Sequence, residues 1–297
     1  MLLLRVTDYF RHSTGTIRDE FGEAPEVLTI STMKGSTQVM EVYIRHIPKQ
    51  KIVPVIASVP HAGMYVPPEI DRLFEEQHRR WLRNTDWYLP QLYSFLPELG
   101  VTMVEATHSR YVVDLNRDSS GELYGNFSRA VIAEKTADGA KVYIETPDLQ
   151  LLADRIELYH TPYHGILRKT LAETLQCFGQ AFLLDLHSFM GPIDNDVCVG
   201  DRWGKSCSAH VSDAFHEALD AAGFDVVRNT PFAGGHIVRT YGDPPAVEAL
   251  QLELRYTTYL DCSKIDEPGR PILDPSRIAA AQARLRPALK SAISSLF

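Results

Sequence analysis

Apolar positions along this chain fall into two periodicities, and their alternation predicts the architecture. Val53-Pro54-Val55-Ile56-Ala57-Ser58-Val59 and Ala181-Phe182-Leu183-Leu184-Asp185-Leu186-His187 are short, nearly continuous apolar runs, the pattern of strands covered on both faces. Val101–Ala106, Tyr111–Leu115, 224–228 and 249–256 read as further strands, and Glu41-Val42-Tyr43-Ile44 as a short β-like run in an otherwise illegible first fifty residues. Between them the spacing changes to the helical period. A helix opens at Pro67-Pro68 and runs through Leu73 to Trp81, a second runs from about Asp86 to Gly100, and residues 148–176 carry a long helical stripe with Pro162 predicted to kink it. Helices are also predicted over 206–222 and 275–295. Strands alternating with helices predict an α/β fold, three layers (αβα) around a mixed, mostly parallel sheet. With no repeat, low-complexity tract or long linker, residues 1–297 are expected to form a single domain, its motif-bearing core at about 50–260.

Composition narrows the function classes. A net charge of −8 argues against a nucleic-acid surface, which needs clustered Lys and Arg. The Met1–Arg5 apolar run is too short for a signal-peptide core, and no stretch has the length of a membrane span. Cys177, Cys198, Cys207 and Cys262 show no C-x-x-C spacing, so neither a disulfide framework nor a thiolate zinc site is expected. The expectation is a cytoplasmic enzyme acting on a small molecule, with neither nucleic acid nor membrane as partner. The oligomeric state is not legible.

In open α/β sheets, ligands gather at the carboxyl ends of strands. His61 follows the run 53–59, in Pro60-His61-Ala62-Gly63, and His187 ends the run 181–186. Either histidine alone could be a hydrogen-bonded structural residue; two at equivalent strand ends suggest a metal site. Catalytic zinc favours three protein ligands and an open position, so a carboxylate is wanted. Asp86 is the leading candidate, against a reading as a helix N-cap, and Glu69 competes with it. In Leu250-Gln251-Leu252-Glu253-Leu254-Arg255, Gln251, Glu253 and Arg255 share one face, which is either a solvated edge or an active-site wall with Glu253 as general base. Arg110, Asn116 and Arg117 flank the run 111–115, where arginine forks suit a carboxylate or an oxyanion, or surface salt bridges with Asp114 and Asp118. His160 and His164 have i, i+4 spacing but no Glu at 161, and are rejected as the metal site, although His164 is still expected to reach the pocket. Residues 234–239 read as a Gly-rich mobile loop that could cover substrate.

Taken in order, Ser58-Val59-Pro60-His61-Ala62-Gly63, Thr85-Asp86, Ser109–Arg117, Pro162-Tyr163-His164, Asp185-Leu186-His187-Ser188 and Leu252-Glu253-Leu254-Arg255 resemble the N-formylglutamate amidohydrolases, relatives of the zinc carboxypeptidases and aspartoacylase. The resemblance implies a zinc carboxypeptidase-like (phosphorylase/hydrolase-like) fold, one Zn2+ ion on His61 and His187, and Glu253 as general base. It further implies that Asn116 and Arg117 hold a substrate carboxylate and that Arg110 polarises the scissile carbonyl. The carboxypeptidase pattern places Glu three residues after the first histidine, where this chain has Met64; Asp86 is therefore taken as the third ligand. Arg239 is expected to clamp a second carboxylate. The activity implied is zinc-dependent hydrolysis of N-formyl-L-glutamate to formate and L-glutamate. The alternatives are a zinc amidase of another N-acyl amino acid or short peptide, and a catalytically silent binding protein on the same fold.

Overall fold

A computed structural model describes residues 40–49, 51–265 and 267–297. The Met1–Arg5 run, and the first fifty residues up to position 39, lie outside them.

Among the described residues, seven strands form the central sheet: β1 (Tyr43–His46), β2 (Val55–Val59), β3 (Thr102–Ala106), β6 (Ala181–Phe189), β7 (Val197–Gly200), β8 (Val226–Arg228) and β9 (Val247–Arg255). Their order is β1-β3-β2-β6-β9-β7-β8. The central β3, β2, β6 and β9 are mutually parallel, while β1 pairs antiparallel with β3 and β7 antiparallel with β9. Two short strands, β4 (Tyr124–Gly125) and β5 (Ile132–Ala133), form a separate ladder.

Helices cover both faces, which is why β2 and β6 are buried at every position. One face packs α5 (Thr161–Phe178) and α7 (His236–Tyr241) through Tyr163, Leu167, Ile237 and Val238 onto Ile56, Leu183 and Ala249. The other packs α6 (Ala209–Ala221) and α8 (Pro275–Ser294), with Phe215, Leu285 and Leu289 against Ala57, Leu184 and Leu252. This is the mixed, mostly parallel three-layer αβα arrangement expected from the period. Because alternate residues of a strand share a face, Asp185 and His187 stand on the α5/α7 side with Leu183, and Gln251 and Glu253 with Ala249. Among the described residues no helix is long and apolar enough to cross a membrane.

Several elements differ from the sequence reading. Residues 68–81 are two short helices, α1 (Pro68–Asp71) and α2 (Glu76–Trp81), parted where Phe74 turns into the core to meet Tyr143. Residues 86–100 hold only α3 (Leu89–Leu92) and a 3₁₀ turn at Leu96–Leu99. The stripe 148–176 runs from α4 (Leu149–Arg155) into α5, and the helix is irregular just before Pro162: a π turn at Ile156–His160 widens it there, ahead of a residue that lacks the N–H a regular helix would need. Tyr111–Leu115 is no strand. It is a buried coil whose backbone bonds go to Ser109 and Val131, and its apolar side chains are buried for the same reason a strand's would be. The strand β7 was not anticipated, and the Gly-rich segment 234–239 runs into α7.

Candidate metal centre and catalytic cleft

The carboxyl ends of β2 and β6 bring His61 and His187 to ring centroids 4.8 Å apart. His187 lies inside β6, which runs two residues beyond it. Asp86 reaches the same point because its backbone N–H donates to the His61 carbonyl (3.1 Å), tying the 84–87 turn to the end of β2. Its carboxylate is buried and stands 3.1 Å from His187 Nδ1 and 3.8 Å from His61 Nδ1. The N-cap of α3 is Tyr88, so Asp86 does no capping there. Glu69, the rival carboxylate, is exposed on α1. His61, Asp86 and His187 thus form a group whose donor atoms all lie within 4.8 Å of one another.

Behind each imidazole stands a second carboxylate. Asp114 Oδ1 is 2.7 Å from His61 Nε2, and Asp185 Oδ2 is 2.9 Å from His187 Nε2, so on both rings it is Nδ1 that faces Asp86. Such partners fix ring orientation and raise basicity in metal-binding histidines. The sequence reading weighed Asp114 only as a surface partner and passed over Asp185; its place two residues before His187, on the same strand face, was the available signal. Ser58 Oγ donates to the other Asp185 oxygen at 3.0 Å, completing a buried polar network under the site.

Electrostatics follow from burial and pairing. Burial opposes the charged form of Asp114, yet the Arg110, His61 and Arg117 charges and the His61 hydrogen bond outweigh it and hold the carboxyl well below the usual range. His61 is pushed down to about 4, first by burial and then by Arg110. Burial disfavours protonation of His187, but the charge and hydrogen bond of Asp185, with Asp86, carry it well above the ordinary imidazole value. Glu253 is raised to about 8, chiefly by burial, with His187 opposing and Asp86 and Asp185 adding to the rise.

The donor set suits a divalent cation. Three buried N and O donors converge, and each histidine is backed by a carboxylate. This is the donor chemistry of catalytic zinc sites, three protein ligands with room for a fourth.

These residues open onto a cleft of about 430 Å³. Glu253 is the register partner of His187 on the adjacent β9 and lines the cleft, as do Arg110, Asn116 and Arg117. Of the polar trio, Gln251 and Glu253 face inward, while Arg255 turns away to bind Asp194. Arg110 donates to Asp114 Oδ2 (2.6 Å) and to the Asn84 carbonyl (3.2 Å), its guanidinium lying 4.6 Å over the Phe127 ring. Arg117 donates to the carbonyls of Asn116 and Phe127, leaving its buried Nε without an acceptor. Asn116 is less free than a substrate-binding role requires: its Nδ2 donates to Asp185 and its Oδ1 accepts from the Ile237 N–H at 2.8 Å.

Two expected pocket residues do not line the cleft. His164 is buried behind it, with one ring nitrogen 2.8 Å from the Tyr241 hydroxyl and the other 2.8 Å from the Leu115 carbonyl. Together with His160 and His236 it makes a second group of nearby donors, but these bonds already occupy both of its nitrogens. Arg239 is half exposed on α7, 3.9 Å from Asp118. Sequence periodicity also could not anticipate the apolar wall of the cleft, where Phe189 packs on Phe232 at 5.1 Å beside Met190 and Pro231.

A family model described as N-formylglutamate amidohydrolase matches residues 53–260. An N-formylglutamate deformylase of Pseudomonas aeruginosa is 36% identical over 225 residues, which cover 72% of this chain and 84% of that protein. One of Pseudomonas putida is 33% identical over 243 residues, 77% of this chain and 90% of its own length. The crystal structure of an N-formylglutamate amidohydrolase from Ralstonia eutropha JMP134 shares the fold, with a TM-score of 0.73 at 22% identity, covering 86% of this chain and 98% of the other.

Proposed function

The chain belongs to the N-formylglutamate amidohydrolase family, and from that premise we propose that it hydrolyses N-formyl-L-glutamate to formate and L-glutamate with zinc held by His61, Asp86 and His187. The observation that carries this reading is the convergence of those three buried donors on a cleft that also presents Glu253, one strand away from His187.

When bound, zinc supplies a Lewis acid and brings the pKa of the attacking water toward roughly 7. Glu253, raised by burial, would be returned toward its ionised form by a cation held on His61, Asp86 and His187. Glu253 takes a proton from water as the oxygen adds to the formyl carbon, then delivers it to the amide nitrogen as the C–N bond breaks, serving as base and then acid. Arg110, kept charged and oriented by Asp114, faces the carbonyl oxygen as negative charge develops on it; one such donor is typically worth on the order of 3 kcal/mol of barrier. Arg117, which lines the cleft and keeps Nη N–H groups beyond those that bond the Asn116 and Phe127 carbonyls, takes a carboxylate of the glutamyl group. Asn116 acts from behind the site, orienting Asp185, the partner of His187, rather than giving its amide to substrate. Arg239 could contribute to the second carboxylate only after leaving Asp118.

Two measurements test the reading. Steady-state assays on N-formyl-L-glutamate, N-acetyl-L-glutamate and N-formyl-L-leucine should give the first the highest kcat/KM; a higher value for either other compound removes the substrate assignment. Glu253→Gln should keep one zinc per chain while losing most of kcat, on the order of 100-fold or more for a lost general base; an active variant removes the base assignment.

A further inference from the structure

Gln251 occupies a place that catalysis as described does not use. It is buried at 4% exposure on β9, two residues before Glu253 and on the same strand face. Its side-chain amide spans two partners. Nε2 donates to Glu253 Oε1 at 2.9 Å, and Oε1 accepts from the Gly235 backbone N–H at 2.7 Å. Gly235 belongs to the 231–235 segment, which forms one wall of the cleft.

The start of α7, directly after that segment, is pinned by Asn116, which accepts from the Ile237 N–H (2.8 Å) and donates to Asp185, the partner of His187. Packing leaves the segment little room. A Cβ on Gly235 would meet the Asn116 side chain at 2.4 Å, and one on Gly200 of β7 would meet the backbone of 232–234 at 2.8 Å. The segment expected from sequence to be a mobile cover is therefore bonded through two side-chain amides to the two halves of the site, one reaching Glu253 and the other His187 by way of Asp185.

We propose that Gln251 is a positioning residue that fixes the Glu253 carboxylate toward the cleft and couples it to the placement of the 231–235 wall. This rests on the reading of Glu253 as general base. A buried carboxylate held by one amide donor keeps its second oxygen available for the proton it must move, whereas without that donor it can rotate or re-pair. The Gly235 bond makes the amide itself rigid, because Gln251 cannot flip its oxygen and nitrogen without losing both contacts.

The test compares Gln251→Leu and Gln251→Met, which retain length and bulk but remove the amide, in the zinc-loaded enzyme with N-formyl-L-glutamate. Loss of such a supporting hydrogen bond should lower kcat by about 10- to 100-fold while KM moves less than about threefold. Zinc content and melting temperature should stay near those of the parent, and hydrogen exchange should accelerate in 232–237 but not in β6. Values of kcat within about threefold of the parent, or a loss that tracks zinc content or melting temperature, would overturn the proposal. Glu253→Gln is measured alongside. If that variant is active, the base reading fails and takes this proposal with it; if it is inactive while both Gln251 variants match the parent, only the positioning role fails.

Discussion

Arg117 is held at the cleft with donors to spare. One N–H of each Nη bonds the Asn116 or Phe127 carbonyl, which fixes the guanidinium and leaves a second N–H on each for an anionic ligand in the cleft. Hydrogen bonds to charged groups contribute about 1.5–3 kcal/mol, so Arg117→Ala should raise KM for N-formyl-L-glutamate by roughly 10- to 100-fold with kcat little changed. An unchanged KM in initial-rate assays would exclude Arg117 from carboxylate binding. At this scale the sequence was informative where a residue type coincided with the carboxyl-terminal end of a strand, as at His61, His187 and Glu253; Asp86, on a turn, joins them by its backbone bond to His61. The sequence was uninformative for His164 and Arg239. A histidine or arginine carries the same chemistry whether it faces a cleft or a backbone carbonyl, and only packing decides which.

Among the elements, the ends of strands do the positioning. The turn after β2, which carries His61, packs directly against the 107–108 backbone, and Gly63 is what permits it. A Cβ there would sit 2.3 Å from the His108 carbonyl oxygen and 2.6 Å from its nitrogen, both backbone atoms that cannot swing aside. Gly63→Ala should therefore cost about 1–3 kcal/mol of stability, as overpacking typically does, and weaken zinc binding by displacing His61. Urea unfolding and zinc titration check this; parental values in both would show that the turn has slack. Strands and long helices were legible because their periods are distinctive. Tyr111–Leu115 was not, since a buried coil and a buried strand both demand apolar side chains. The short helix α7 escaped, and α1, α2 and α3 were read as parts of two longer helices, for a related reason: four to six residues give too few turns to establish a period or its ends.

For the whole molecule, the layered αβα core buries several histidines in neutral form. His78, packed between Phe74 and Tyr111, is pushed down by burial to about 4, and His164 to about 3, by burial and then by its neighbour His160. Folded values below the unfolded value of 6.5 mean that protonation favours the unfolded chain. Stability is thus fully present above pH 6.5 and is lost as pH falls toward 4. For His78 alone the loss at pH 5 is on the order of 2 kcal/mol. Urea unfolding at pH 7 and pH 5 should show that fall, and His78→Gln should lessen the difference; equal stability at the two pH values would contradict it.

The central claim is that His61, Asp86 and His187 hold the zinc on which hydrolysis depends. It is tested most directly by formate release from N-formyl-L-glutamate before chelation, after removal of metal by a chelator, and after return of one equivalent of zinc. Activity should vanish on chelation and return with zinc in the parent enzyme, but not in Asp86→Ala. Undiminished formate release from the metal-free protein, or full zinc-restored activity in Asp86→Ala, would contradict the account.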